Sequence, residues 1–166
     1  MSPAALQILI RMRPVLAAIA IGGLTVFAHG AEEACRPAPE RSRENLQILT
    51  ASGHHPFKVE VARTPEQRAK GLMCRRSMSR DHGMLFTFDM ETPILMWMKN
   101  TYLPLDMVFV SRSGSVIAVA ANTTPFSEEL ITSGKPAYAV IELNAGVAAE
   151  MGITEGSRVE YPAFRH

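Results

Sequence analysis

Three ionisable residues interrupt stretches that are otherwise apolar or turn-forming: Lys99, Asp106 and Glu142. Lys99 follows the run Ile94–Met98 and precedes Asn100 and Thr101, while Asp106 opens the run Met107–Val110. Side chains alternate along a strand, so Ile94, Met96 and Met98 should face one way and Leu95, Trp97 and Lys99 the other. Leu103-Pro104-Leu105 enforces an extended connection. Lys99 and Asp106 are therefore expected at adjacent strand ends, near enough to meet. Glu142 lies in the apolar run Ala139–Leu143 and shares a face with Val140 and Asn144. An acid there needs a partner or water.

Two chemistries follow. Lys99, Asp106 and Glu142 beside Trp97 would make a polar pocket with an aromatic platform. Such a pocket suits a small polar ligand or a glycan, with Asn100, Thr101 and Arg75 as further contacts. Alternatively, Asp106 and Glu142 would serve a hydrolase, which needs two carboxyls about 5–9 Å apart across a cleft. A purely structural role competes with both: Lys99 paired with one carboxylate, and Asn100 bonded to backbone in a turn.

Methionine suggests a third chemistry. Met73, Met78, Met84, Met90, Met96, Met98 and Met107 crowd one stretch of the chain. Thioethers favour Cu(I), and Met96 and Met98 would share a strand face, with Cys74 and His82 as further soft or borderline ligands. The competing role is packing of an irregular core, which methionine does well. His54-His55 reads as a turn pair before Pro56. Arg75-Arg76, with Arg68 and Arg80, is the one basic cluster. It reads as a solvated loop or a contact for an anionic envelope polymer. There is no Gly-x-Ser-x-Gly elbow, Gly-rich phosphate loop or His-Glu-x-x-His. No nucleophile–base pair can be named, so the reading leans to a non-catalytic module without a cofactor.

The elements that position these groups read as mainly β, a β-rich α+β chain. Leu46–Leu49 and Phe57–Val61 are strand candidates flanking Ser52-Gly53. Met84–Phe88, Ile94–Met98, Met107–Val110, Val116–Ala120, Tyr138–Leu143 and Arg158–Tyr161 follow, with Ser113-Gly114 as a tight hairpin. Thr64-Pro65-Glu66-Gln67 is a helix start with a capping box, ending near Gly71. Asn144 is expected to cap a second helix over 145–151, stopped by Gly152. About eight strands and two short helices predict a compact β-barrel-like or sandwich domain.

Residues 1–30 carry Arg11 and Arg13, no acid, the apolar run Val15–Ala28, and then small residues at Ala28 and Gly30. This order is that of a signal peptide cleaved after Gly30. Fourteen apolar residues rise only about 21 Å as a helix, short of a roughly 30 Å hydrocarbon core. Met12 offers a second start with a complete short signal. Residues 31–45 read as a flexible linker and 46–166 as the single folded domain. Cleavage leaves 15 basic and 16 acidic residues. That balance argues against a nucleic-acid partner, and no membrane span is expected after cleavage. The expected product is an exported monomer, periplasmic or secreted, whose partner is a small molecule or an envelope polysaccharide. An oxidising compartment leaves two states open for Cys35 and Cys74: a bridge, or a free tail thiol and a buried one.

A set of residues then carries a resemblance. It runs Gln67…Gly71-Leu72-Met73…Arg75, Gly83-Met84-Leu85-Phe86-x-Phe88, and Met96-Trp97-Met98-Lys99-Asn100-Thr101…Pro104-Leu105-Asp106. It continues with Val140-Ile141-Glu142-Leu143…Ala145-Gly146 and Gly152-Ile153…Gly156. Over about residues 57–161 the chain resembles the bacterial and archaeal family called domain of unknown function 192. The resemblance implies a compact β-barrel-like fold with small helices, often behind a signal peptide, and no established activity.

Overall fold

The structure is a computed structural model that describes Cys35 and residues 38–164. The expected signal peptide lies outside the described residues. Among those described, no helix is long and apolar enough to cross a membrane.

The fold is mostly β. Seven strands are β1 (Arg43–Thr50), β2 (Gly53–Ala62), β3 (His82–Thr92), β4 (Leu105–Val110), β5 (Val116–Ala120), β6 (Ala137–Asn144) and β7 (Arg158–Glu160). Two short helices are α1 (Pro65–Lys70) and α2 (Val147–Glu150). The strands form one curled half-barrel sheet in the order β5-β4-β6-β3-β2-β1-β7. Only β2 and β3 pair in parallel, because α1 carries the chain back between them. Backbone bonds join the two edges: Val116 N–H to Ser157 O at 2.8 Å and Val159 N–H to Gly114 O at 2.7 Å.

Local chemistry explains α1. The Thr64 hydroxyl accepts from Gln67 N–H at 3.2 Å, and Gln67 Oε1 accepts from Thr64 N–H at 3.1 Å. Gly71 ends the helix at φ +47°, where a side chain would be strained. At Gly83 the constraint is space. A Cβ there would come within 2.6 Å of Glu142 O, so only glycine lets β3 approach β6.

The sheet has a separate core on each face. Leu46, Ile48, Val59, Leu85, Val108, Ile141 and Leu143 pack on one face. Met84, Phe86, Leu105, Met107, Phe109 and Val140 pack on the other, with Leu72, Ile94 and Met98 covering them. β6 is therefore apolar at nearly every position.

Four expectations change. His54-His55 is not a turn pair: both residues stand in β2, opposite Leu49 and Ile48 of β1. Ile94–Met98 is not a strand: only Met96 forms a bridge, to Ile131. Facing it is the irregular 121–136 segment, which offers Met96 and Met98 backbone partners but no continuous ladder. The alternation survives, with Ile94 and Met98 buried and Leu95 and Trp97 exposed. Asn144 does not cap α2. It stays in β6 and donates from Nδ2 to Met78 O and Ser79 O, while Gly146, at φ +85°, occupies the N-cap. Finally, order begins before Leu46. β1 starts at Arg43, and the Arg41 side chain is only 2% exposed.

Two ties fasten the ends of the domain. Glu44 accepts from Ser42 Oγ at 2.6 Å, Tyr161 Oη at 2.6 Å and Arg63 Nη2 at 2.8 Å. These bonds pull the Glu44 carboxyl down to about 2 and help push the Tyr161 hydroxyl up to about 12, where burial is the larger cause. The second tie resolves the cysteine alternatives: Cys35 and Cys74 form a disulfide, with Cα atoms 5.5 Å apart.

Candidate functional site

Glu142 stands in β6 directly between Met84 of β3 and Met107 of β4. Its neighbours on that face are apolar, and it is 4% exposed. Its Oε2 is buried with no hydrogen-bond partner in the protein. Desolvation pushes its carboxyl up to about 8, with the charge of Arg41 opposing. Burial thus favours the neutral form, which has a proton to donate and oxygens to accept.

Glu142 lines a cavity of about 290 Å³. Three pieces of chain build its walls: the end of α1 with Leu72 and Met73, the β3 residues Phe86 and Phe88, and the 95–101 segment. Arg68, Lys70, Lys99 and Thr101 add the polar lining. Trp97, 44% exposed, stands at the mouth with Lys99 Nζ 5.1 Å from its ring centroid. Arg68 lies 4.9 Å over Phe88 and is held by the carbonyls of Arg63 and Thr87.

The Lys99-Asn100-Thr101 string forms the turn that presents Trp97 and Lys99. Asn100 adopts φ +53°, a conformation asparagine tolerates better than most residues. Its carbonyl accepts from Cys74 N–H at 2.9 Å, and Thr101 N–H reaches Met98 O at 3.1 Å. The disulfide thus anchors to the same turn that shapes the cavity mouth.

Trp97, Lys99, Thr101 and Glu142 line the cavity together. Asn100 is a turn residue beside it. The expected meeting of Lys99 and Asp106 does not occur. Lys99 lies 3.6 Å from Glu128, and Asp106 is buried against backbone. Asp106 Oδ1 accepts from Asn122 N–H and Oδ2 from Ala148 N–H, each at 2.8 Å. Asp106 pairs with Leu143 across β6, one position from Glu142, so the two carboxyls leave opposite faces of the sheet. They do not flank one cleft. Arg75 is bound to Glu60 at 2.7 and 2.9 Å and borders a different, more polar depression with Arg43, Ser79 and His82.

The soft-metal candidates are each committed elsewhere. Cys74 sulfur is in the disulfide, Met98 sulfur accepts from Thr123 Oγ1 at 3.1 Å, and His82 Nδ1 lies 2.8 Å from Asp81. Met96 packs against the core. No cluster of three or more His, Cys, Asp or Glu suited to a metal occurs among the described residues. The arginine cluster also disperses. Arg76 stacks over Tyr102 at 4.1 Å and Arg80 pairs with Glu150.

Sequence reasoning did not single out Arg41, Phe86 or Phe88. The last two were within reach, because alternation along Met84–Phe88 puts Met84, Phe86 and Phe88 on Glu142's face. Arg41 gave no signal. It lies in a charged, proline-containing stretch, yet its guanidinium donates to Gln67 O and Gly71 O at 3.2 Å, bracing the cavity wall.

Comparison with known proteins agrees with this architecture. A crystal structure of a candidate transcription regulator from Sinorhizobium meliloti 1021 is 46% identical, covering 75% of this chain and 97% of that one, with a TM-score of 0.72. A protein of unknown function from Novosphingobium aromaticivorans DSM 12444 is 36% identical, covering 77% and 96%, with a TM-score of 0.71. No curated protein matches the chain. Residues 47–161 match the family DUF192, described as "Uncharacterized ACR". The chain belongs to that family.

Proposed function

We propose that this protein is an exported, non-catalytic module that holds a small polar ligand, a single sugar ring, in the Glu142 cavity. One observation carries the reading: a buried carboxyl without a protein partner lines a cavity whose mouth holds an exposed tryptophan. A buried polar group left unsatisfied is costly, and a ligand hydroxyl would satisfy it. Trp97 offers a flat apolar face against which a sugar ring can stack. At about 290 Å³ the cavity is at the small end of the ligand-pocket range, room for one ring.

Binding is favoured over hydrolysis because Glu142 is the only acid among the described residues that line the cavity, and Asp106 leaves the other face of the sheet. A nucleic-acid role, suggested by the description of the Sinorhizobium relative, finds no support in the dispersed arginines. Export rests on the signal-like residues 1–30 and agrees with a disulfide in the folded domain.

Trp97 is the only tryptophan, so its fluorescence reports on the cavity mouth. Titration of the mature protein with hexoses, their acids and their amines should give a saturable change for at least one. The change should vanish in Glu142→Leu. No saturable response, and no heat by calorimetry, would sink the reading. Cell fractionation should place the protein outside the cytoplasm, with an N-terminus at Ala31.

A further inference from the structure

We infer that the ligand of this cavity carries a carboxylate: it is an acidic sugar of the uronic acid class. The inference rests on the sugar-binding reading above and adds the charge of the ligand. It follows from the signs of the groups that line the cavity.

Among the described residues that line the cavity, Arg68 and Lys99 carry positive charge and Glu142 is the only acid. Glu142 is buried between Met84 and Met107, where an anion is poorly solvated and a neutral carboxyl is preferred. The described lining thus presents the positive charge of Arg68 and Lys99 beside a buried carboxyl that favours its neutral form. Such a cleft attracts anions and repels amines.

The details of the cations agree. Arg68 cannot swing away, because two carbonyls and the Phe88 ring hold it. Lys99 is restrained by Glu128 only at 3.6 Å, both side chains being substantially exposed. Such a contact is worth little, so the ammonium can turn from Glu128 to a ligand at the mouth. The protonated Glu142 carboxyl would donate its O–H to a ligand carboxylate oxygen, a short charge-assisted bond. The two carboxyls would share one proton, as paired carboxyls do when close.

This arrangement sets a pH dependence. Among the described residues, the charged groups around Glu142 are Arg41 behind the wall and Arg68, Lys70 and Lys99 on the lining. The strand neighbours on its face are apolar. Once Glu142 ionises, its donor is lost and two carboxylates face each other.

The test compares glucuronate and galacturonate with glucose, galactose, glucosamine and galactosamine at pH 6, by calorimetry and Trp97 fluorescence. At least one uronate should bind about tenfold or more tightly than its neutral parent, as expected for a hydrogen bond to a charged group. The amines should bind least. Lys99→Met should lower the uronate's affinity more than that of the parent sugar, narrowing the gap between the two. Above about pH 8 the wild-type affinity should fall by up to about tenfold per pH unit. Glu142→Gln keeps a donor that does not titrate, so its affinity should persist at pH 9. If a neutral sugar or an amine binds as tightly as the uronates, the charge assignment is wrong while the sugar cavity stands. If none of the six binds, both fall.

Discussion

Asp106 and Glu142 lie on neighbouring strands one register position apart and point to opposite faces of the sheet. The offset gives two buried acids opposite fates. Asp106 accepts two backbone N–H bonds. Glu142 meets apolar side chains and a cavity.

Asp106 acts as the side-chain cap that α2 lacks within its own sequence, since Gly146 has no side chain to offer. Asp106→Ala would leave two N–H groups unpaired. It should lower unfolding free energy by about 2–4 kcal/mol in urea, with Asp106→Asn losing less. A loss below about 0.5 kcal/mol would show that these bonds contribute little to stability.

Glu142 should make stability fall as pH rises. Between its unfolded value of 4.5 and its folded value of about 8, the native state keeps a proton that the unfolded chain has lost. Unfolding free energy therefore declines across that window and levels off above it. Glu142→Gln removes the titration. Thermal melts should show the variant gaining on wild type from pH 5 to 8, by on the order of 2–4 kcal/mol. Parallel pH profiles would contradict a buried neutral carboxyl.

Glu44 should act in the opposite sense. Its bonds from Ser42, Tyr161 and Arg63 favour the ionised form. The stability they supply is present above about 4.5 and is lost as pH falls towards about 2. Because the side chain is 30% exposed, the effect is on the order of 1 kcal/mol. Acid denaturation of Glu44→Gln should be shallower than that of wild type between pH 5 and 2.

The Cys35–Cys74 bridge closes a sequence separation of 39 residues. Cys35→Ser, or reduction, should lower stability by about 3–4 kcal/mol in the chain-entropy account. Alkylation of the denatured, unreduced protein should add no mass. Two added groups per chain would disprove the bridge.

Much of the fold was legible before any tertiary structure. The Thr64–Gln67 capping box, the Ser113-Gly114 hairpin and the strand runs at Met84–Phe88, Met107–Val110 and Tyr138–Leu143 are written in local patterns. Capping, turns and alternation depend on neighbours a few residues away. The family string also predicted a barrel-like domain. Ile94–Met98 failed as a strand because a ladder needs a regular partner, and the 121–136 segment is irregular.

The sequence by itself determined that Glu142 is an acid in an apolar run, that Trp97 stands between Met96 and Met98, and that Cys35 and Cys74 are the two cysteines. Only the tertiary structure decided which acid lines a cavity. That depends on register: each step along a strand reverses the face, so the Asp106↔Leu143 pairing sends Asp106 to the backbone and Glu142 to the cavity. It likewise decided that Arg41 belongs to the fold. A buried guanidinium bonded to the end of α1 depends on packing between residues distant in the chain, which no local pattern encodes.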